Sequence, residues 1–208
     1  MSPLKALHSV AVNATGRGLV MALGLGAALA GCGGPEQDAL TWQGEETHQV
    51  SQALVANGSF ESAPSFSWYL QLSAGSTALP GWSIFDGGVD ILNTWQAADG
   101  THCIDLNALS QGRMAQTFST TAGRRYQVNF SLAGNPNGGA VIKQMSVEAA
   151  GQAQTFTFDI TGRSTSNMGW VRRSFAFTAN ASTTTLTFRS LLNDNGGAMI
   201  DAVSVIAL

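Results

Sequence analysis

The residues best placed to do chemistry gather between positions 61 and 107. The acids Asp86, Asp90, Asp99 and Asp105 fall close together in a glycine-rich stretch. Cleaving a glycosidic bond needs two carboxylates facing each other across a cleft, and nothing in the spacing singles out two of these four. Turn formation and surface exposure account for them without catalysis. Beyond residue 31 the histidines are His48 and His102. His102 adjoins Cys103 in strand-like sequence, where neighbouring side chains take opposite faces and exchange a proton poorly. Gly162-Arg-Ser-Thr-Ser lacks the second glycine of a nucleophile elbow. These residues point away from an enzyme. Recognition of a sugar asks for something simpler, an aromatic plate for the apolar ring face and amides or carboxylates for the hydroxyls. Trp68, Tyr69 and Trp95 lie in loop-like sequence, with Asn93, Gln96, Asp99, Asp105 and Asn107 nearby. Trp95 suits binding and packing equally, and for Trp68 and Tyr69 packing is the simpler account.

The elements that must hold such residues are strands. Tyr126, Val128, Phe130 and Leu132 alternate with Gln127, Asn129 and Ser131, the pattern of a half-buried strand. Phe156 and Phe158, Phe175 and Phe177, Leu186 and Phe188, and Val203 and Val205 alternate in the same way. Further strand-like stretches are 82–92, 102–109, 113–120 and 143–149. Turn clusters separate them: Pro80-Gly81, Asp86-Gly87-Gly88, Asp99-Gly100, Asn135-Pro136-Asn137-Gly138-Gly139 and Asn193-Asp194-Asn195-Gly196-Gly197. No long segment carries a helical period. About nine or ten strands, each with one apolar face, need a second sheet to cover that face, which predicts an all-β sandwich. Trp82 and Trp170 each follow a glycine at a strand start and read as core.

The chain opens differently. Lys5 and Arg17 precede the apolar run Gly18 to Cys32, GLVMALGLGAALAGC. A charged lead, a short apolar run and small residues at a cleavage point mark a secretory signal, too short to span a bilayer as a helix. Leu29-Ala30-Gly31-Cys32 resembles the lipobox of bacterial lipoproteins, in which the cysteine is lipidated and the chain is cut before it. That resemblance implies removal of residues 1–31 and acyl chains on Cys32, enough for stable anchoring when more than one chain is attached. Gly33 in the next position leans towards the outer membrane. Residues 32–52 hold glycine, proline and acids without a sustained period, and read as a tether. A domain over 53–208 follows. Losing the leader leaves eight Lys and Arg against 13 Asp and Glu. An acidic chain with scattered arginines has no footprint for nucleic acid. Arg124-Arg125 and Arg172-Arg173 read as strand-start residues facing water, and Cys103 as a small buried apolar side chain.

Several motifs occur together in order. Val55-Ala56-Asn57-Gly58-Ser59-Phe60-Glu61 precedes Leu79-Pro80-Gly81-Trp82. Val89-Asp90, the run Trp95 to Gly100, Asp105-Leu106-Asn107, Gln116-Thr117-Phe118, Leu132 to Gly139, Thr165 to Trp170 and Ile200 to Val205 come after. Across about residues 54–206 the sequence resembles the choice-of-anchor C family, bacterial surface domains related to the plant cell-wall family called domain of unknown function 642. The resemblance implies a galactose-binding-domain-like jelly-roll β-sandwich, an architecture shared with carbohydrate-binding modules. Modules of that fold commonly hold a structural calcium between the first strand and the last, and the matching positions are Glu61 and Asp201. Calcium takes six to eight oxygen ligands, so backbone carbonyls are expected to complete the set.

The reading is a lipid-anchored envelope protein carrying a non-catalytic carbohydrate-binding-like module, attached to the membrane through its lipid only. The alternative is a structural or adhesive protein whose sandwich packs against an envelope component. A glycoside hydrolase is the third reading. One sandwich hosts many functions, so fold alone does not choose among them.

Overall fold

A computed structural model of the protein describes residues 54–208. The expected leader 1–31, tether 32–52 and lipidation site Cys32 lie outside the described residues. Eleven strands form: β1 (Tyr69–Leu72), β2 (Ser83–Phe85), β3 (Val89–Leu92), β4 (Cys103–Asp105), β5 (Arg113–Ser119), β6 (Arg125–Gly134), β7 (Ile142–Ala149), β8 (Gln152–Asp159), β9 (Val171–Thr178), β10 (Thr183–Ser190) and β11 (Ala198–Ala207). All pair antiparallel. One sheet has the order β1-β3-β4-β11-β6-β9 and the other β2-β5-β10-β7-β8. The all-β sandwich expected from the alternating phenylalanines is the fold.

The inner faces follow from the register. Val128, Phe130 and Leu132 of β6 stand opposite Val205 and Ile200 of β11 on one side and Phe175 and Val171 of β9 on the other. Met145 and Val147 of β7 face Phe156 of β8 and Phe188 of β10 across the second sheet. Phe130 joins the two layers. Its ring meets Phe156 edge-on at 5.2 Å and Phe188 at 5.4 Å, a favoured arrangement for aromatic quadrupoles. Trp82, buried as expected, lies 6.1 Å from Phe188 and 5.6 Å from Phe60.

One expected strand is divided. The stretch 82–92 forms β2 in one sheet and β3 in the other, because Asp86, Gly87 and Gly88 all take positive φ. Three successive left-handed residues end a strand, and the chain crosses between layers there. The stretch 102–109 is likewise shortened to Cys103–Asp105.

The sequence motifs are joints between segments far apart in the chain. The Asn57 side chain accepts from the Ser62 amide at 3.0 Å and donates to the Pro80 carbonyl at 3.1 Å. Trp82 Nε1 donates to the Asn57 carbonyl at 3.0 Å. Gln116 pairs with both backbone groups of Ala56, as a neighbouring strand would. At Gly58 an added Cβ would sit 1.9 Å from the Val203 carbonyl oxygen. Only glycine admits that approach of the first motif to the last strand.

The outer face of the six-stranded sheet is unusual in having a buried half. Leu92, Cys103, Asp105, Met199, Asp201, Ser131 and Ala133 point away from the sandwich core by register, yet all are buried. Segment 93–102 lies over part of that half, its Ala98 and Asp99 amides bound to Asp201 and its Gln96 bound to segment 161–170. The β6–β9 side of the same face, with Gln127, Asn129, Arg172 and Ser174, stays open.

Candidate functional site

Asp201 explains how the covering segment is held. It lies on β11, fully buried, and its Oδ2 accepts the Ala98 and Asp99 amides at 2.7 and 2.9 Å. Burial raises its carboxyl to about 6 against the opposing pull of those donors. Glu61 grips the next residues. Its Oε1 accepts the Thr101 and His102 amides at 2.8 and 2.7 Å, and its Oε2 meets the Thr101 hydroxyl at 2.8 Å and His102 Nδ1 at 2.9 Å. Desolvation works against the charge, but these donors outweigh it and hold the Glu61 carboxyl down at about 2. Gly100 makes the grip possible, since a Cβ there would lie 2.5 Å from Glu61 Oε1. Gln96 completes the cover by binding segment 161–170: its amide donates to the Thr165 carbonyl, its Oε1 accepts the Met168 amide, and its carbonyl accepts Trp170 Nε1.

Calcium does not fit this donor set. A carboxylate has about four lone-pair sites, and all four of Glu61 are met by N–H, O–H or ring nitrogen. Asp201 spends its oxygens on three amides, the third from Ala202. No group of three or more His, Cys, Asp or Glu suited to a metal occurs among the described residues. Glu61 and Asp201 bind successive residues of one segment, Asp201 the Ala98 and Asp99 amides and Glu61 the Thr101 and His102 amides. These backbone amides link the start of the domain to its last strand.

Several of the expected sugar-contacting residues serve the same structural purpose. Asp105 is buried between strands; its Oδ1 accepts the Asn107 and Gly197 amides at 2.9 Å each and its Oδ2 accepts Asn135 Nδ2 at 2.7 Å. Burial pushes its carboxyl up to about 7. Asn107, also buried, donates to the Leu192 and Asp194 carbonyls at 2.8 Å each. Neither reaches solvent, so neither can meet a polysaccharide. Asp99 accepts from the Ser59 hydroxyl at 2.6 Å. Trp95 is half-buried against the core, and Trp170 is half-buried rather than core. Asp90 and Asp105 stand opposite each other on β3 and β4, side by side on a sheet rather than across a cleft, which is not the geometry of a glycosidase pair. Cys103 is a buried free thiol, its ionisation suppressed by desolvation and by the surrounding carboxylates.

Trp68 and Tyr69 have the opposite character. They are 73% and 57% exposed, far above what packing needs. Beside them lies a hollow of about 530 Å³ lined by Glu61, Ala63, Ser65, Phe66, Asn93, Thr101 and His102, among others. Asn93 fixes its wall, donating from its amide to the Trp68 carbonyl at 3.4 Å and from Nδ2 to the Phe66 carbonyl at 3.2 Å. Its Oδ1 is left with no protein partner. The Phe66 and His102 rings lie 5.3 Å apart. A hydroxyl and an imidazole line the hollow, and the exposed rings adjoin it in the chain through Phe66. Asn93 is among the polar residues the sequence placed near the candidate rings; Phe66, Thr101 and His102 are not, although Phe66 lies two residues before Trp68. A larger hollow of about 640 Å³ beside β2 is lined by residues 74–86 without 78. Its one charged group, Asp86, is paired with Arg113 at 3.0 Å.

The fold and surface define an all-β jelly-roll sandwich of the kind found in carbohydrate-binding modules. Residues 53–206 match the family described as "Protein of unknown function (DUF642)", and the chain belongs to that family. The sequence is 33% identical over 161 residues to halomucin of Haloquadratum walsbyi (strain DSM 16790 / HBSQ001), covering 74% of this chain but 2% of the relative. Only a small fraction of halomucin is therefore represented. The structure is similar to TmCBM61, solved in complex with β-1,4-galactotriose, at TM-score 0.52 and 14% identity, covering 76% of this chain and 100% of that one. A family 35 carbohydrate binding module from Clostridium thermocellum gives TM-score 0.47 and 13% identity over 68% of this chain and 100% of the other.

Proposed function

We propose that the protein is a non-catalytic carbohydrate-binding module that takes a polysaccharide against Trp68, Tyr69 and the adjoining hollow. The observation that carries this reading is the exposure of both rings, 73% and 57%, next in the chain to a hollow with polar lining. Rings of this kind stack on the apolar face of a sugar, while the exposed Thr101 hydroxyl, which donates to Glu61, can still accept from a sugar hydroxyl. The related fold of a module solved with a galactotriose supports a glycan as the ligand class. Modest affinity follows from so open a surface: Kd in the μM–mM range, about −8 to −4 kcal/mol.

The module is carried, on this reading, at a bacterial envelope through lipid on Cys32, most simply in the outer membrane, with residues 32–52 as the tether. Mass spectrometry of residue 32 after detergent extraction tests the anchor, and an unmodified cysteine would remove it. A panel of immobilised plant and microbial glycans tests the ligand class. Retention by at least one neutral polysaccharide, lost in Trp68→Ala, is expected. No retention by any of them would favour the adhesive alternative.

A further inference from the structure

The open half of the six-stranded sheet carries a second hollow, of about 490 Å³, lined by Asn129, Arg172, Arg173, Ser174 and Ser204. Three adjacent strands build it. Ser174 of β9 stands opposite Asn129 of β6, and Asn129 stands opposite Ser204 of β11. The last pairing exists because β11 shifts register between Asp201 and Ser204, where Ala202 takes φ 51°. Such a bulge re-aims the side chains beyond it. Arg172 is on the same outer face, opposite Ser131.

The chemistry of this hollow is one-sided. Asn129 Oδ1 is spent on Gln127 Nε2 at 2.7 Å, which leaves the Asn129 Nδ2 donors facing outward. Two hydroxyls and one guanidinium group, that of Arg172, supply the remaining polar side-chain atoms, since Arg173 stands opposite Phe130 and its side chain leaves for the other face of the sheet; no carboxylate lines the hollow. The ion pairs formed among the described residues join His102 to Glu61 and Arg113 to Asp86, so neither Arg172 nor Arg173 is neutralised by one. A hollow with an unpaired guanidinium, an amide donor and no carboxylate, on a chain of net charge −3, suits an anion. It contains no aromatic plate, which sets it apart from the Trp68 surface.

We propose that this hollow is a subsite for an acidic sugar, the Arg172 guanidinium taking the carboxylate of a uronate residue while Asn129, Ser174 and Ser204 take ring hydroxyls. A planar guanidinium matches a carboxylate through two parallel hydrogen bonds. The volume falls within the usual range for ligand sites and suits one or two sugar rings. The proposal rests on the reading that this domain binds carbohydrate, and it narrows the ligand to a polymer bearing carboxylates. The plainer account of Arg172 and Arg173 is charge on an edge strand that discourages pairing with another chain, and that account predicts no dependence on uronate.

Affinity electrophoresis of the full chain in gels containing polygalacturonate, dextran sulfate or neutral galactan tests it. Retardation by polygalacturonate is expected, weakening as NaCl rises from 50 to 500 mM because exposed charges are screened. Arg172→Gln should weaken that binding at least tenfold. Arg172→Lys should keep only part of it, and Arg173→Gln, which removes the same charge from the other face of the strand, should leave it unchanged. Retention by galactan but not by polygalacturonate would overturn the acidic subsite and leave the carbohydrate reading standing. Failure to bind all three polymers would remove both. Equal loss from Arg172→Gln and Arg173→Gln, or retention by dextran sulfate alone, would reduce the interaction to general charge attraction and overturn the carboxylate assignment.

Discussion

The two halves of the outer face of the six-stranded sheet use polar residues in opposite ways. On the β3–β4–β11 side, Asp105 and Asp201 point outward from the sheet but are sealed beneath other segments, every oxygen accepting at least one hydrogen bond. On the β6–β9 side, Arg172, Ser174 and Asn129 point the same way with nothing over them. The first half holds the molecule together, and the second is free to meet a partner. Acidic residues in a glycine-rich stretch are therefore not a ligand site here by virtue of their type. The cover decides.

Breaking the covered half should cost far more than editing the open one. Phe130→Ala sets the scale: it removes a ring that joins both sheets and should destabilise by about 3–5 kcal/mol in urea denaturation. A loss under half that would mean that the inner and outer faces have been misassigned. Asp201→Ala leaves the Ala98, Asp99 and Ala202 amides without their acceptor, at about 1–3 kcal/mol for each group that stays buried. It should lower stability by about 2–4 kcal/mol and raise hydrogen exchange across residues 96–101. Arg172→Gln, on the open half, should change stability by less than about 0.5 kcal/mol.

Acidity sharpens the contrast. Burial lifts Asp90 and Asp201 to about 6 and Asp105 to about 7, above their values in the unfolded chain. Between about pH 4 and 7 the native state then holds more protons than the unfolded one, so stability falls as pH rises. Glu61 acts in the other direction. With its native value near 2 and an ordinary value of 4.5, it contributes stability that is complete above pH 4.5 and lost as pH falls towards 2. A melting temperature with its maximum in the mildly acidic range is expected, and Glu61→Gln should flatten the acid limb only. The smallest expected effect is that of a chelator. Because amides and hydroxyls occupy Glu61 and Asp201, neither EDTA nor added calcium should move the melting temperature.

Much of the architecture was legible in the sequence because period-2 alternation of phenylalanine reports directly on one buried face. The motifs Asn57-Gly58 and Pro80-Gly81-Trp82 were legible as well, although their meaning as a joint emerges only when Asn57, Pro80 and Trp82 meet in space. The division of 82–92 between sheets depended on three consecutive positive φ angles, which a count of apolar alternation does not register. The site was harder. Asp105 and Asn107 look in sequence like groups that could meet a hydroxyl, and only the register that turns them under Asn135 and Gly197 shows otherwise. Trp95 and Trp68 are equivalent as letters, yet one packs on the core and the other stands in solvent. Arg172 and Arg173 were rightly read as facing water, but the union of Arg172 with Asn129 and Ser204 needs a bulge some thirty residues further along the chain.

The central claim is that ligand contact and structural support are carried by different residues, with Trp68 belonging wholly to the first. Measuring glycan affinity and melting temperature together for Trp68→Ala tests it most directly. The account predicts that polysaccharide binding is lost while the melting temperature stays within about 2 °C of the parent, as expected for an exposed side chain. Undiminished binding accompanied by a clear fall in melting temperature would contradict it.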